Sequence, residues 1–168
     1  KVSPNPDEPP SVYAPLSETH ACQTQNGKIV ALHRYRYGDD NNLRQFESED
    51  GGYTWTVPHK TDMVGYPAHL LTLRNGWLLA TYSRRVPPMG QRACVSYDEG
   101  QTWDIANEIV ISNLRSDVSQ NPGHLGYPAS LQLPDGTILT VYYQINDPAD
   151  GEFPSIICTR WRLNGFFE

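Results

Sequence analysis

Long apolar runs are missing from this 168-residue chain, and with them any segment able to cross a membrane as a helix. An excess of positive charge is missing too. Thirteen Lys and Arg stand against 19 Asp and Glu, and the net charge of −6 argues against nucleic acid or an anionic membrane as the main partner. Cysteine is scarce and odd in number. Cys22, Cys94 and Cys158 have no metal-ligand spacing, and each falls in an apparent strand, so buried free thiols are expected. No metal or organic cofactor is implied. No segment carries a convincing helical period, and no N-x-S/T sequon occurs. No signal peptide is visible. The chain begins at Lys1 without a methionine, which fits a processed or excised product and leaves a secreted or periplasmic setting open.

What the chain does have is turn chemistry. Gly (13) and Pro (14) are frequent, Tyr (10) and Trp (4) are plentiful, and this mixture suits an all-β fold with many tight turns. Two copies of one signature, S-x-D-x-G-x-T-W, stand in register at Ser48–Trp55 and Ser96–Trp103. The carboxylates of Asp50 and Asp98 can accept backbone hydrogen bonds within a turn. Gly52 and Gly100 allow a conformation that a Cβ would oppose, and Ser48, Thr54, Ser96 and Thr102 can bond to nearby backbone. Trp55 and Trp103 can bury a large face. Only one carboxylate recurs and the EF-hand pattern is absent, so the turns read as structural and not as calcium loops.

A second repeat accompanies the first. Asn26-Gly27, Asn75-Gly76 and Asp135-Gly136 each open a β-rich run, and each dipeptide is the preferred centre of a type I′ hairpin turn. Runs also precede the turns, at Cys22–Thr24, Ala68–Leu73 and Ala129–Leu133. The unit is strand, tight turn, strand, loop, strand, signature turn, strand, at a spacing that marks a repeat architecture. Three consecutive antiparallel sheets result, expected to pack as blades of a β-propeller. The expected division is a Pro-rich arm or strand over 1–18, blades over 19–60 and 61–110, and a third blade without a signature over 111–168. Ser11–Leu16 could complete a neighbouring blade. Ile111–Gly123 reads as a loop. Ile156–Leu163 reads as the third strand of the last blade, with no obvious fourth. Three blades do not close a ring, so either the chain is part of a longer protein or two or more copies complete it.

The signature turns resemble the Asp box, or BNR repeat, of the sialidase (neuraminidase) superfamily. The resemblance runs from about His20 to Leu163 and looks like the last three blades of a six-bladed propeller. It implies a glycoside hydrolase acting on a terminal acidic sugar of a glycan. In that family three arginines hold the sugar carboxylate, a tyrosine assisted by a glutamate attacks the anomeric carbon, and an aspartate serves as acid/base. A neutral phenol meets less repulsion from an anionic sugar than a carboxylate would, and the planar guanidinium donates two parallel hydrogen bonds.

By resemblance, Arg44 and Arg92, each four residues before a box, look like two of the carboxylate-binding arginines. Tyr127, in Gly126-Tyr127-Pro128, stands where the nucleophile is expected. The partner glutamate should lie near Glu18–Gln23; His20 occupies about that place as a candidate base, with Glu18 the nearest carboxylate. Gly65-Tyr66-Pro67 repeats the tyrosine motif. Arg34, Arg36, Arg84 and Arg85 cluster after second strands and could face the ligand, as could His69 on a first strand. Tyr142, Tyr143 and Gln144 hold the corresponding place in the third unit, and His124 lies in a loop. The family's N-terminal arginine motif and its acid/base aspartate have no counterpart in the chain. Each assignment has a structural alternative: paired cross-strand arginines, a blade-packing tyrosine, satisfied inner-strand histidines. The rival functional class is a non-catalytic propeller that binds carbohydrate or protein.

Overall fold

The computed structural model describes residues 17–35, 38–115, 121–146 and 153–163, and these form three antiparallel sheets. The first contains β1 (Ser17–Gln23), β2 (Ile29–Arg34), β3 (Asn42–Ser48) and β4 (His59–Val64) in sequential order. The second repeats the order with β5 (Ala68–Thr72), β6 (Leu78–Arg84), β7 (Gly90–Ser96) and β8 (Ile109–Asn113). The third holds β9 (Leu125–Gln132), β10 (Ile138–Gln144) and β11 (Ser155–Trp161). Among the described residues the only helical turns are two short 3-10 turns, at Ile105–Asn107 and Pro122–His124, and no helix is long and apolar enough to cross a membrane. The proposed arm over 1–18 lies almost wholly outside the described residues, as does Arg36.

The first strands of the sheets lie side by side, β1 against β5 and β5 against β9, and the sheets stack face to face as successive blades. One apolar seam joins Val30, Leu32, Leu43 and Met63 of the first blade to Leu70, Leu78, Ala80 and Tyr82 of the second. Another joins Leu79, Ala93 and Val95 of the second blade to Ile138 and Leu163 of the third. The second blade is therefore covered on both faces. Its β6 and β7 are buried almost throughout, whereas β10 alternates between buried and exposed and β11 is largely open. A strand covered on both faces loses the period-two pattern and reads as a continuous apolar run, as Leu78-Leu79-Ala80 does.

Two sequence expectations change. Ile111–Asn113 is not loop but the end of β8, drawn into the sheet because Ile109 and Ile111 pack in the second seam. The three cysteines are free and all lie on strands, but only Cys94 is buried; Cys22 is half-buried and Cys158 exposed. Burial pushes the Cys94 thiol up to about 12, so it is an inert packing group.

The signature turns are near-copies in three dimensions. Ser48 Oγ donates to Asp50 Oδ1 at 2.8 Å and accepts from the Gly52 N–H at 2.8 Å; Ser96 does the same with Asp98 at 2.8 Å and Gly100 at 2.7 Å. The Thr54 N–H and hydroxyl both donate to Asp50, at 2.9 and 2.6 Å, and Thr102 repeats the pair on Asp98 at 2.8 and 2.5 Å. The hydroxyl of Thr54, then its N–H, hold the Asp50 carboxyl down at about 2. The second box also ties blades together. Trp103 Nε1 donates to Gln45 Oε1 at 2.6 Å, and Gln45 Nε2 donates to the Gly100 carbonyl at 2.6 Å.

A candidate active site at the heads of the inner strands

Two β-bulges build the site. On β1, Ser17 faces Arg34 and Thr19 faces His33, so Glu18 is an extra residue without its own cross-strand partner. On β9, Gly126 faces Tyr143 and Ala129 faces Val141, so Tyr127 and Pro128 share one partner position. A bulge turns a side chain out of the ladder. Glu18 (φ 59°) and Tyr127 (φ 53°) both take the left-handed conformation that non-glycine residues seldom adopt. Such strain is on the order of 1–3 kcal/mol per residue and gathers at functional sites.

The two bulges meet. The Tyr127 hydroxyl donates a short hydrogen bond to Glu18 Oε1, joining the first and third blades. The other carboxylate oxygen, Glu18 Oε2, accepts from Arg34 Nη1 at 2.6 Å. Arg34 lies over the Tyr66 ring, 4.3 Å from its centroid, and Arg85 lies 5.5 Å from the same ring. Arg85 Nη2 donates to the Tyr143 hydroxyl at 3.2 Å, and Tyr143 stacks 6.0 Å from Tyr127. Close packing is built in at Gly126, where a Cβ would stand 2.6 Å from Arg85 Nη2 and 2.8 Å from the Tyr143 oxygen.

Electrostatics sort the pair into donor and acceptor. Burial works to raise the Glu18 carboxyl, but the hydrogen bonds from Tyr127 and Arg34 outweigh it and hold the group below its ordinary value. Tyr127 is pushed above the ordinary phenol range, first by its bond to Glu18, with partial burial adding to it. At neutral pH the site therefore holds a protonated phenol on an ionised carboxylate. Arg85 pairs with no carboxylate among the described residues, and its buried Nε has no hydrogen-bond partner there. Glu18 is shared with Arg34, so the cluster carries one excess positive charge inside an acidic protein.

The other sequence candidates sit elsewhere. Arg92 is 2% exposed. Its Nη1 donates to the carbonyls of Gln91 (3.0 Å) and Ser112 (2.8 Å), and its Nη2 to the Pro88 carbonyl (2.9 Å) and Asn113 Oδ1 (2.9 Å). All four terminal hydrogens are engaged within the second blade, which leaves none for a sugar carboxylate. Arg44 is equally buried, paired with Asp40 at 3.0 Å and stacked 3.7 Å from the Tyr35 ring. Arg84 Nη2 turns back to the Pro87 carbonyl at 3.4 Å.

The histidines join blades. His20 Nδ1 accepts the Leu70 N–H at 3.1 Å, and one blade further on His69 Nδ1 accepts the Ser130 N–H at 3.4 Å. Their rings lie 4.2 Å apart. Burial lowers both, His69 to about 4, with the neighbouring His20 adding to the effect there. Tyr127 bonds to Glu18 and not to His20. His124 sits in the 3-10 turn, 3.1 Å from Asn121 Nδ2. The residues that sequence reasoning left without a role are Tyr66 and Tyr143; the repeated Gly-Tyr-Pro motif was the available signal for the first.

Neither a family model nor a curated protein matches the chain. Solved structures do. A protein of unknown function from Dyadobacter fermentans is 33% identical over 86% of this chain and 37% of its own, with a TM-score of 0.71. A Penicillium chrysogenum α-L-arabinanase complexed with arabinobiose is 20% identical over 90% of this chain and 48% of its own, with a TM-score of 0.68. A Hadza microbial sialidase is 14% identical over 88% and 31%, with a TM-score of 0.61. The fold is a β-propeller of the kind found in carbohydrate-active enzymes, represented by three blades. The chain spans about a third to a half of the length of these structures.

Proposed function

We propose that the chain carries the tyrosine–glutamate part of a glycoside hydrolase site for an acidic sugar, with Arg34 and Arg85 as the carboxylate clamp. The observation that supports it is the bond from Tyr127 to Glu18, made by two bulged, left-handed residues from blades distant in sequence. In this reading Glu18 takes the phenol proton as Tyr127 Oη forms a bond to the anomeric carbon and the glycosidic C–O bond breaks. Water then attacks the anomeric carbon as the tyrosyl C–O bond breaks; Glu18 returns its proton to Tyr127 Oη, and the water's proton restores the separate acid that served the leaving group. The cluster supplies nucleophile, base and clamp but, among the described residues around it, no acid for the leaving group. That acid and a third arginine would come from the rest of the ring, supplied by further blades or by a second copy of the chain.

The test is hydrolysis of fluorogenic glycosides of N-acetylneuraminic acid, glucuronic acid and L-arabinofuranose, alongside direct binding of the free sugars. Turnover of an acidic glycoside that falls at least about a hundredfold in Tyr127→Phe and Glu18→Gln supports the reading. Turnover of the neutral arabinoside alone overturns the acidic specificity. Binding of an acid sugar without turnover assigns the chain to the non-catalytic, carbohydrate-binding class.

A further inference from the structure

Tyr66 opens the second blade with the motif that places Tyr127 at the head of the third, Gly-Tyr-Pro-Ala, yet it stands in a different relation to the site. Its ring is buried and lies under both guanidiniums, Arg34 at 4.3 Å and Arg85 at 5.5 Å from its centroid. Two guanidiniums held near one another repel, and a single carboxylate, Glu18, pairs only with Arg34. An aromatic face offers each cation an attraction of about 0.5–2 kcal/mol without consuming any of its hydrogen-bond donors. A carboxylate in the same place would neutralise the pair and compete with the ligand. The ring therefore gathers two charges without using any of their hydrogen-bond donors.

We propose that Tyr66 is a positioning residue that holds Arg34 and Arg85 side by side as one carboxylate clamp. Its ring face, and not its hydroxyl, carries the role. The backbone fixes the ring for this task. The Tyr66 N–H donates to the Ser83 carbonyl at 2.8 Å and the Gly65 N–H to the Asn41 carbonyl at 3.0 Å, so Tyr66 is tied to the strand that leads into Arg85. The purpose assigned to the clamp rests on the acidic-sugar reading; the hold on the two arginines does not.

The experiment separates the two. Tyr66→Phe keeps the ring face, Tyr66→Leu removes it, and Tyr66→pentafluorophenylalanine keeps ring shape and packing while reversing the quadrupole. Two readouts apply to each: hydrogen exchange at the Nε–H of Arg34 and Arg85 in the ligand-free protein by NMR, and the Kd for N-acetylneuraminic acid and for glucuronic acid. The expected result is wild-type behaviour for the Phe variant. The fluorinated and Leu variants should show faster guanidinium exchange and acid-sugar binding about tenfold weaker. Unchanged exchange and binding in the fluorinated variant would overturn the positioning role, whether or not the Leu variant folds. Faster exchange in a protein that binds neither acid sugar even as wild type would uphold Tyr66's hold on the arginines and overturn the acidic-sugar reading.

Discussion

Gly65-Tyr66-Pro67-Ala68-His69-Leu70 and Gly126-Tyr127-Pro128-Ala129-Ser130-Leu131 stand at the heads of successive inner strands and differ at one position in six. Their tyrosines have opposite fates: Tyr66 is 5% exposed and Tyr127 54%. The difference comes from the neighbours and the backbone. The second blade has an apolar seam on each side, so its first tyrosine is enclosed with Leu32, Met63 and Tyr82. The β9 bulge turns Tyr127 into the left-handed region and out toward Glu18. A repeat thus reuses one motif for an enclosed ring in one blade and for an exposed, hydrogen-bonded one in the next, and local sequence cannot tell the two apart.

Truncation should separate them most strongly. Tyr66→Ala leaves a cavity in the first seam and should cost about 3–5 kcal/mol of stability. Tyr127→Ala removes an exposed ring and should cost less than about 1 kcal/mol. Urea denaturation of both variants checks this, and similar losses would mean that the two tyrosines share a structural role. Activity or acid-sugar binding should invert the order among folded variants, with Tyr127→Phe losing turnover and Tyr66→Phe keeping it.

The glycines before the tyrosines sharpen the contrast at a smaller scale. Gly65 (φ +146°) has no room for a Cβ, which would strike the carbonyl of Ser83. Gly65→Ala should destabilise by roughly 2–3 kcal/mol, because that obstacle is backbone and the conformation excludes L side chains. At Gly126 the obstacles are the far ends of Arg85 and Tyr143, which can swing away. Gly126→Ala should unfold at nearly the wild-type denaturant midpoint while weakening acid-sugar binding about tenfold. A large loss of stability in Gly126→Ala would show that the Arg85–Tyr143 contact supports the fold and not the ligand.

What the sequence made legible was what is local. The signature turns follow from turn chemistry within a few residues and appear as their side chains demand. The Asn-Gly and Asp-Gly hairpins form where expected but not as type I′ turns: of each pair only the glycine, Gly27, Gly76 or Gly136, takes positive φ, and the glycine N–H groups close turns back onto the carbonyls of Thr24, Leu73 and Leu133. The site depended on long-range placement. Arg44 and Arg92 share a place four residues before a box, and in the fold both guanidiniums are buried and bonded within their own blades. Arg92 spends its hydrogens on carbonyls that only the folded blade brings near. The cluster is built from departures from the repeat: the bulges at Glu18 and Tyr127, and two of the strand-end arginines, Arg34 and Arg85. A one-residue bulge has no signature in alternating polarity, which is why the sequence points to His20 as the base whereas the fold brings Glu18 to Tyr127 and leaves His20 on the Leu70 N–H.

The single difference between the two motifs, His69 against Ser130, predicts the smallest effect and the one most specific to the second blade. His69 is held neutral in the fold, with burial and the neighbouring His20 lowering it to about 4, against an ordinary value of 6.5. The unfolded chain therefore binds a proton that the native chain refuses. Stability from this group is complete above about pH 6.5, declines as pH falls, and is gone near pH 4. Because the ring is only partly buried, the total change is on the order of 1–2 kcal/mol. His69→Asn keeps an acceptor for the Ser130 N–H and removes the titration. It should lower stability at pH 7 through lost packing against His20 yet flatten the dependence between pH 6.5 and 4. The slope, not the level, carries the test, since the Asp50 carboxyl, held at about 2, loses its stabilisation only at lower pH. An unchanged slope would place the acid sensitivity on the other histidines that burial lowers, His20 and His33.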